Sequence, residues 1–224
     1  WDMFESGHAA GAFHAAGRAV SGGPVYVSDK PGEQNFDLLR TLVLPDGRTL
    51  RAEVPGRPTA DCLMVDPTQE DVLYKIWNLN EDAGVLGAFN CRYSGEASAG
   101  AAPVVVRGAV QPADVVDLEA DCYVVYAHTR REMRTLERQK GWELELPELG
   151  FEVFTIVPIR DGAAPLGLVE TMNSAGAILS KGWVHQNIFR MLARGSGLCL
   201  VWLDRPAVTV RVEGAPVEFS YMCE

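Results

Sequence analysis

Two carboxylates open the question of chemistry. Asp2 follows Trp1, and Asp29 closes the run Gly22-Gly23-Pro24-Val25-Tyr26-Val27-Ser28-Asp29. An Ala-rich helical stretch separates them. A strand–helix–strand unit that ends on acidic residues is how a barrel enzyme presents polar groups to its substrate. A carboxylate accepts two or more hydrogen bonds, as the hydroxyls of a sugar would offer. Acids that follow strands also cap loops and helices, and position alone leaves both roles open.

The other reactive residue types read as structural. His8 and His14 are six apart, on different faces of a helix, so they cannot share a metal as an i, i+4 pair would. His8 lies near the helix start and takes a capping or solvent role. His128 and His185 have no acidic or Cys partners at ligand spacing. The five cysteines, Cys62, Cys91, Cys122, Cys199 and Cys223, form no CxxC pair, which argues against zinc or a redox motif. Most sit in apolar runs such as Leu198-Cys199-Leu200-Val201, so buried, reduced thiols are expected, in a reducing compartment such as the cytoplasm. Arg130, Arg131, Arg134, Arg138 and Lys140 interleave with Glu132 and Glu137 and read as a solvated hairpin. Trp77, Phe89, Phe151 and Phe154 fall at core-like strand positions, with a sugar-stacking platform as the alternative. No glycine-rich phosphate loop or GxSxG elbow is present, and no cofactor is expected.

Composition narrows the class. A chain of 224 residues with 47% hydrophobic content builds one large or two small domains around a real core. Its net charge of −10 argues against nucleic acid or an anionic membrane as partner, since both select basic patches. No apolar run approaches the ~20 residues that span a bilayer. The abrupt start on Trp1-Asp2-Met3-Phe4 reads as the tip of a strand, so the chain is expected to be the back end of a larger protein.

Two textures follow along the sequence. Residues 8–21 predict a helix stopped by Gly22-Gly23, then Val25-Tyr26-Val27 a short buried strand of the parallel type. Asn35 can cap a second helix carrying Phe36, Leu38, Leu39, Leu42 and Val43, ended by Pro45-Asp46-Gly47. Pro55-Gly56-Arg57-Pro58-Thr59 continues neither helix nor central strand. From 71 onward the pattern is all-β. Strands are expected at 72–77 and 84–89 around a loop at 78–83, then at 104–110, 123–127, 151–157, 166–172, 197–203 and 208–212, as in two packed antiparallel sheets. Residues 97–102 read as a low-complexity loop.

The residues carry a resemblance. Trp1-Asp2-Met3-Phe4, His8, His14 and the run from Arg18-Ala19-Val20-Ser21 to Asp29 are similar to the raffinose synthase and alkaline α-galactosidase family of plants and green algae. That family includes the seed imbibition proteins and belongs to glycoside hydrolase family 36. The likeness continues through Lys30-Pro31-Gly32, Asn35-Phe36-Asp37-Leu38-Leu39, Pro55-Gly56-Arg57-Pro58-Thr59, Lys75-Ile76-Trp77-Asn78-Leu79-Asn80 and Phe89-Asn90-Cys91. It departs at Gly7, Ala9, Ala12, Arg92 and Tyr93, and over 94–103.

The resemblance implies a fold of α/β plus all-β: the last strands and helices of a (β/α)8 barrel, followed by an antiparallel β-sandwich. Residues 1–55 would end the catalytic barrel, 56–70 form a linker, and 71–224 make the sandwich. It places Trp1, Asp2 and Met3 at the seventh strand, lining a galactose pocket, with Asp29 on the eighth. It implies a retaining double displacement on α-galactosides, with galactinol, sucrose or raffinose-family oligosaccharides as partners. Sucrose as acceptor gives raffinose, and water gives hydrolysis. The family's nucleophile and acid/base lie upstream, so this chain alone is expected to be inactive and poorly soluble. A carbohydrate-binding β domain without catalysis, or one that only stabilises the barrel or mediates subunit contact, is the alternative from another class.

Overall fold

A computed structural model describes residues 3–92 and 104–222. Helix α1 (Gly11–Ser21) forms where Ala-rich sequence favours helix, and its N-terminal turn is braced by His8, whose Nδ1 accepts the Ala10 N–H at 3.1 Å. Gly22 ends it in the left-handed conformation (φ 72°). A Cβ there would stand 2.2 Å from the Val54 carbonyl oxygen, so only glycine fits both the turn and the contact. His8 is exposed and braces the turn before the helix, and among the described residues no side chain caps the helix itself.

The second helix, α2 (Phe36–Leu39), is capped by the Asn35 side chain, which accepts the Leu38 N–H at 3.1 Å. It is shorter than expected. Thr41 donates its hydroxyl to Leu38 O, and its own carbonyl accepts the Met172 N–H, so the chain leaves the helix to bury Leu42 and Leu44.

The rest is mostly β. The strands are β1 (Arg57–Pro58), β2 (Tyr74–Asn80), β3 (Ala83–Phe89), β4 (Val106–Val110), β5 (Cys122–Ala127), β6 (Glu132–Glu137) and β7 (Trp142–Leu146). They continue as β8 (Phe151–Pro158), β9 (Ala163–Leu168), β10 (Ile178–His185), β11 (Ile188–Ala193), β12 (Cys199–Leu203), β13 (Val210–Val212) and β14 (Ala215–Val217). A six-stranded antiparallel sheet runs β1-β2-β3-β8-β5-β6, and β4-β7, β9-β12, β10-β11 and β13-β14 pair separately.

Both faces of the large sheet are covered, which is why β3 and β8 are buried at nearly every position rather than at alternate ones. One face packs Leu86, Phe154, Ile156, Tyr123 and Val125 against Val106, Val110, Trp142, Leu144 and Leu146 of the β4-β7 pair. On the other, Val85, Phe89 and Val153 meet Ala16 and Val20 of α1 and Ala52. Further along that face Val124, Tyr126 and Val157 meet Ala164 and Leu166.

Several strand expectations shift. The loop expected at 78–83 is a two-residue turn, Glu81-Asp82, because β2 pairs through Asn80. The strand expected at 166–172 runs 163–168 and stops where Thr171 Oγ1 donates to Leu168 O in a tight turn. Val25 to Val27 does run parallel to Phe4, but Tyr26 and Val27 are 54% and 40% exposed, not buried. Cysteine burial is also corrected. Cys62 is buried and Cys91 half-buried, but Cys122 and Cys199 are exposed, because Cys122 begins β5 and Cys199 begins β12 at strand ends. Cys223 and the loop at 97–102 lie outside the described residues. Trp77, Phe89 and Phe154 are buried in the core, so they offer no stacking platform.

Candidate functional site

Of the residues expected to line a pocket, Trp1 and Asp2 lie outside the described ones. Met3 is 56% exposed, and its neighbour Phe4 points the other way, into a cluster with Ala15, Ala19 and Leu42. The Arg18 guanidinium covers the Phe4 ring at 5.4 Å. Phe4 N–H donates to Tyr26 O at 3.3 Å and Ser28 N–H to Phe4 O at 2.9 Å, so the two segments run parallel. With α1 crossing between them they form a β–α–β unit.

That pairing sets Asp29 beside Ser6. The Ser6 N–H donates to Asp29 Oδ1 at 2.6 Å, and its hydroxyl donates to Oδ2 at 2.7 Å. Ser6 Oγ also accepts the Asn35 N–H at 2.8 Å, at the cap of α2. Ser6 is 2% exposed, and Asp29 is half-buried. The clasp therefore ties the loop after Phe4, the end of the second parallel segment and the start of α2 into one unit. Each Asp29 oxygen keeps a further acceptor site, so the loop-bracing role and a hydroxyl-binding role are compatible.

Ser6 and Asn35 escape sequence reading as a site because the clasp joins residues 23 and 29 apart, with no local motif. Removing the hydroxyl leaves the Asn35 N–H without its acceptor. Ser6→Ala is expected to lower stability by about 1–2 kcal/mol, read from the urea midpoint at unchanged slope. A midpoint equal to wild type would show the clasp to be solvated.

His14 lies exposed against the Phe4 and Phe13 rings, with its pKa lowered by desolvation, Arg18 and His8. Glu152, 1% exposed, accepts the N–H groups of Thr129, Arg130 and Val153 and so caps a turn; burial pushes its pKa up. Among the described residues no group of three His, Cys, Asp or Glu is placed to hold a metal ion. Nor, among them, is any helix long and apolar enough to cross a membrane.

The chain belongs to the family described as raffinose synthase or seed imbibition protein Sip1, whose sequence profile matches residues 1–224. It is 42% identical, over 99% of its length, to the probable galactinol–sucrose galactosyltransferase 1 of Arabidopsis thaliana, covering 32% of that protein. It is 38% identical to the galactinol–sucrose galactosyltransferase of Oryza sativa subsp. japonica (99% of this chain, 31% of that one). With the stachyose synthase of Pisum sativum it shares 30% (99% and 29%). The chain thus spans about a third of the length of these relatives.

Likeness to solved structures is slight. A β-L-arabinopyranosidase from Geobacillus stearothermophilus aligns with 66% of the chain and 30% of its own, at TM-score 0.43 and 9% identity. The α-galactosidase I of Mortierella vinacea aligns with 66% and 35%, at 0.41 and 11%. Neither is close enough to define the architecture.

Proposed function

We propose that this chain is the C-terminal part of a raffinose synthase-like galactosyltransferase, which moves a galactosyl group from galactinol to sucrose by retaining double displacement. Similarity along nearly the whole chain to galactinol–sucrose galactosyltransferases carries this reading. The β–α–β unit supports it from the geometry: parallel segments at Phe4 and Val27, joined across α1, have the handover expected at the end of a (β/α)8 barrel. The antiparallel strands would then make the β-sandwich that follows the barrel.

In this reading one carboxylate attacks the anomeric carbon and a second protonates the departing oxygen, then activates the acceptor. Both belong to barrel strands preceding Trp1 in the longer protein, and no Asp or Glu here takes those roles. The reaction requires no cofactor. Met3 and Asp29, near the ends of the parallel pair, contribute to the rim of the galactose pocket, together with Trp1 and Asp2. Met3, Tyr26, Val27 and Phe36, all exposed in this chain, pack against the rest of the barrel.

The test is product analysis on the full-length protein given galactinol and sucrose together. Raffinose as the main product is expected. Free galactose without raffinose would make the protein an alkaline α-galactosidase. No turnover of either sugar, with binding retained, would leave a carbohydrate-binding domain only.

A further inference from the structure

The strongest unassigned feature lies away from the parallel pair. Between the β2–β3 turn and strand β10 is a cavity of about 140 Å³. That is about ten times what one ordered water needs, and under half of the ~300 Å³ of a small drug-sized pocket. It has room for one ring. Ala83, Pro165, Ala175 and Ile178 give it an apolar side, the buried Asn80 lies among them, and Glu81, Asp82, Ser180 and Lys181 supply its exposed polar edge.

The rim is complementary to neighbouring hydroxyls. Asp82 Oδ2 and Lys181 Nζ stand 3.4 Å apart, longer than the 2.7–2.9 Å of a tight charge-assisted bond. Both retain capacity, since an ammonium has three donors and a carboxylate about four acceptor sites. One hydroxyl of a vicinal diol can accept from Lys181 while its neighbour donates to Asp82. The supporting groups are fixed before any ligand arrives. Asn80 and Asn173 pair head to tail at 2.7 and 3.1 Å, and Asn173 Nδ2 also donates to Leu50 O at 3.0 Å. The turn is pinned where Glu53 Oε1 accepts the Glu81 N–H at 2.7 Å. A mostly polar lining with a small apolar patch suits a hydroxyl-rich ring better than an apolar ligand.

We propose that this cavity is a saccharide-binding site for a single neutral pyranose or cyclitol ring, seated by its C–H face on Pro165 and Ala175 and by a vicinal diol on Asp82 and Lys181. It does not depend on the catalytic reading. With no aromatic ring in the lining, the affinity is modest, with a Kd on the order of 1–10 mM.

Titrating the purified protein with methyl α-galactoside and with myo-inositol, followed by protein and ligand NMR, tests the proposal. Saturable binding is expected. Asp82→Asn and Lys181→Met, both at the rim, should weaken it about tenfold, and Ser180→Trp, which fills the cavity, should abolish it. Glu145→Gln, on β7 and paired with Arg107, should leave it unchanged. No saturation by 50 mM ligand, on the order of five times the weakest expected Kd, would overturn the proposal. So would wild-type affinity in Ser180→Trp, or binding lost in Glu145→Gln but kept in Asp82→Asn.

Discussion

Asp114→Ala is expected to destabilise the protein by about 3–5 kcal/mol, toward the lower end of that range. Lys75 projects from β2 into the core beside Trp77, and its side chain is only 6% exposed. Its Nζ lies 3.0 and 2.9 Å from the two oxygens of Asp114, itself 6% exposed at the side chain, and 2.9 Å from Asp61 Oδ2. Burial pulls the Lys75 pKa down, but the two carboxylates outweigh it and the net shift is upward. Burial also raises Asp114, above what its bonds to the Gln111 N–H and Lys75 recover. The pair is thus held against a desolvation cost. Removing one partner strands the other, and only Asp61, 60% exposed, remains to compensate. Lys75→Met combined with Asp114→Leu should recover most of the loss, because an apolar pair of similar volume has no charge to desolvate. Denaturant unfolding of wild type, Lys75→Met, Asp114→Leu and the double variant gives the coupling. A coupling near zero would mean that water reaches the pair.

That cluster shows what the sequence could and could not disclose. Lys75 interrupts an apolar strand, a local conflict that marks a special residue. Its partner lies 39 residues away in a short turn that no periodicity announces. The hairpin at 74–89 was legible because apolar runs flank a polar break, and α1 because alanine and a double glycine bracket it. Trp142-Glu143-Leu144-Glu145-Leu146 alternates as a half-buried strand should, yet the surrounding charges drew attention to a hairpin surface instead. The pair β10-β11 has a different sequence character. Its burial alternates only between exposed and partly exposed, so neither face has the continuous apolar pattern that identifies a strand. The site divides in the same way. Asp29 stood out by its place after a strand, whereas the buried hydroxyl that holds it, Ser6, has nothing in its neighbours to mark it. Residues that act by touching distant partners become visible only once the chain is folded.

Acid should weaken the fold through His128, and the sign follows from its surroundings. Its Nε2 is 3.0 Å from Thr155 Oγ1, which is 2.9 Å from Ser174 Oγ, and Ser174 donates to Leu166 O at 2.6 Å. Ser174 has one proton and gives it to that carbonyl, so it accepts from Thr155, which accepts in turn from the Nε2–H of His128. The Tyr126 ring packs edge-on against the imidazole at 5.0 Å. Burial pushes the His128 pKa down to about 4, although the Val169 backbone, to which the charged ring's second N–H could donate, acts in the opposite sense. The folded protein therefore holds the ring neutral where the unfolded chain, titrating near 6.5, takes up a proton. Stability from this group is complete above 6.5 and drains away as the pH falls toward 4, by about 2–3 kcal/mol at pH 4.5. Asp61, whose pKa is depressed, adds to the loss at lower pH, while Asp114 and Glu152, whose values are raised, oppose it. The wild-type curve mixes these terms, so the difference from His128→Gln isolates the one at issue. The glutamine amide can still donate to Thr155 but cannot titrate. Stability measured by urea unfolding at pH 7.5 and 4.5 should fall about 2–3 kcal/mol further in wild type than in the variant. Parallel losses in the two proteins would show that the ring stays solvated and that its hydrogen-bonded chain is not what excludes the proton.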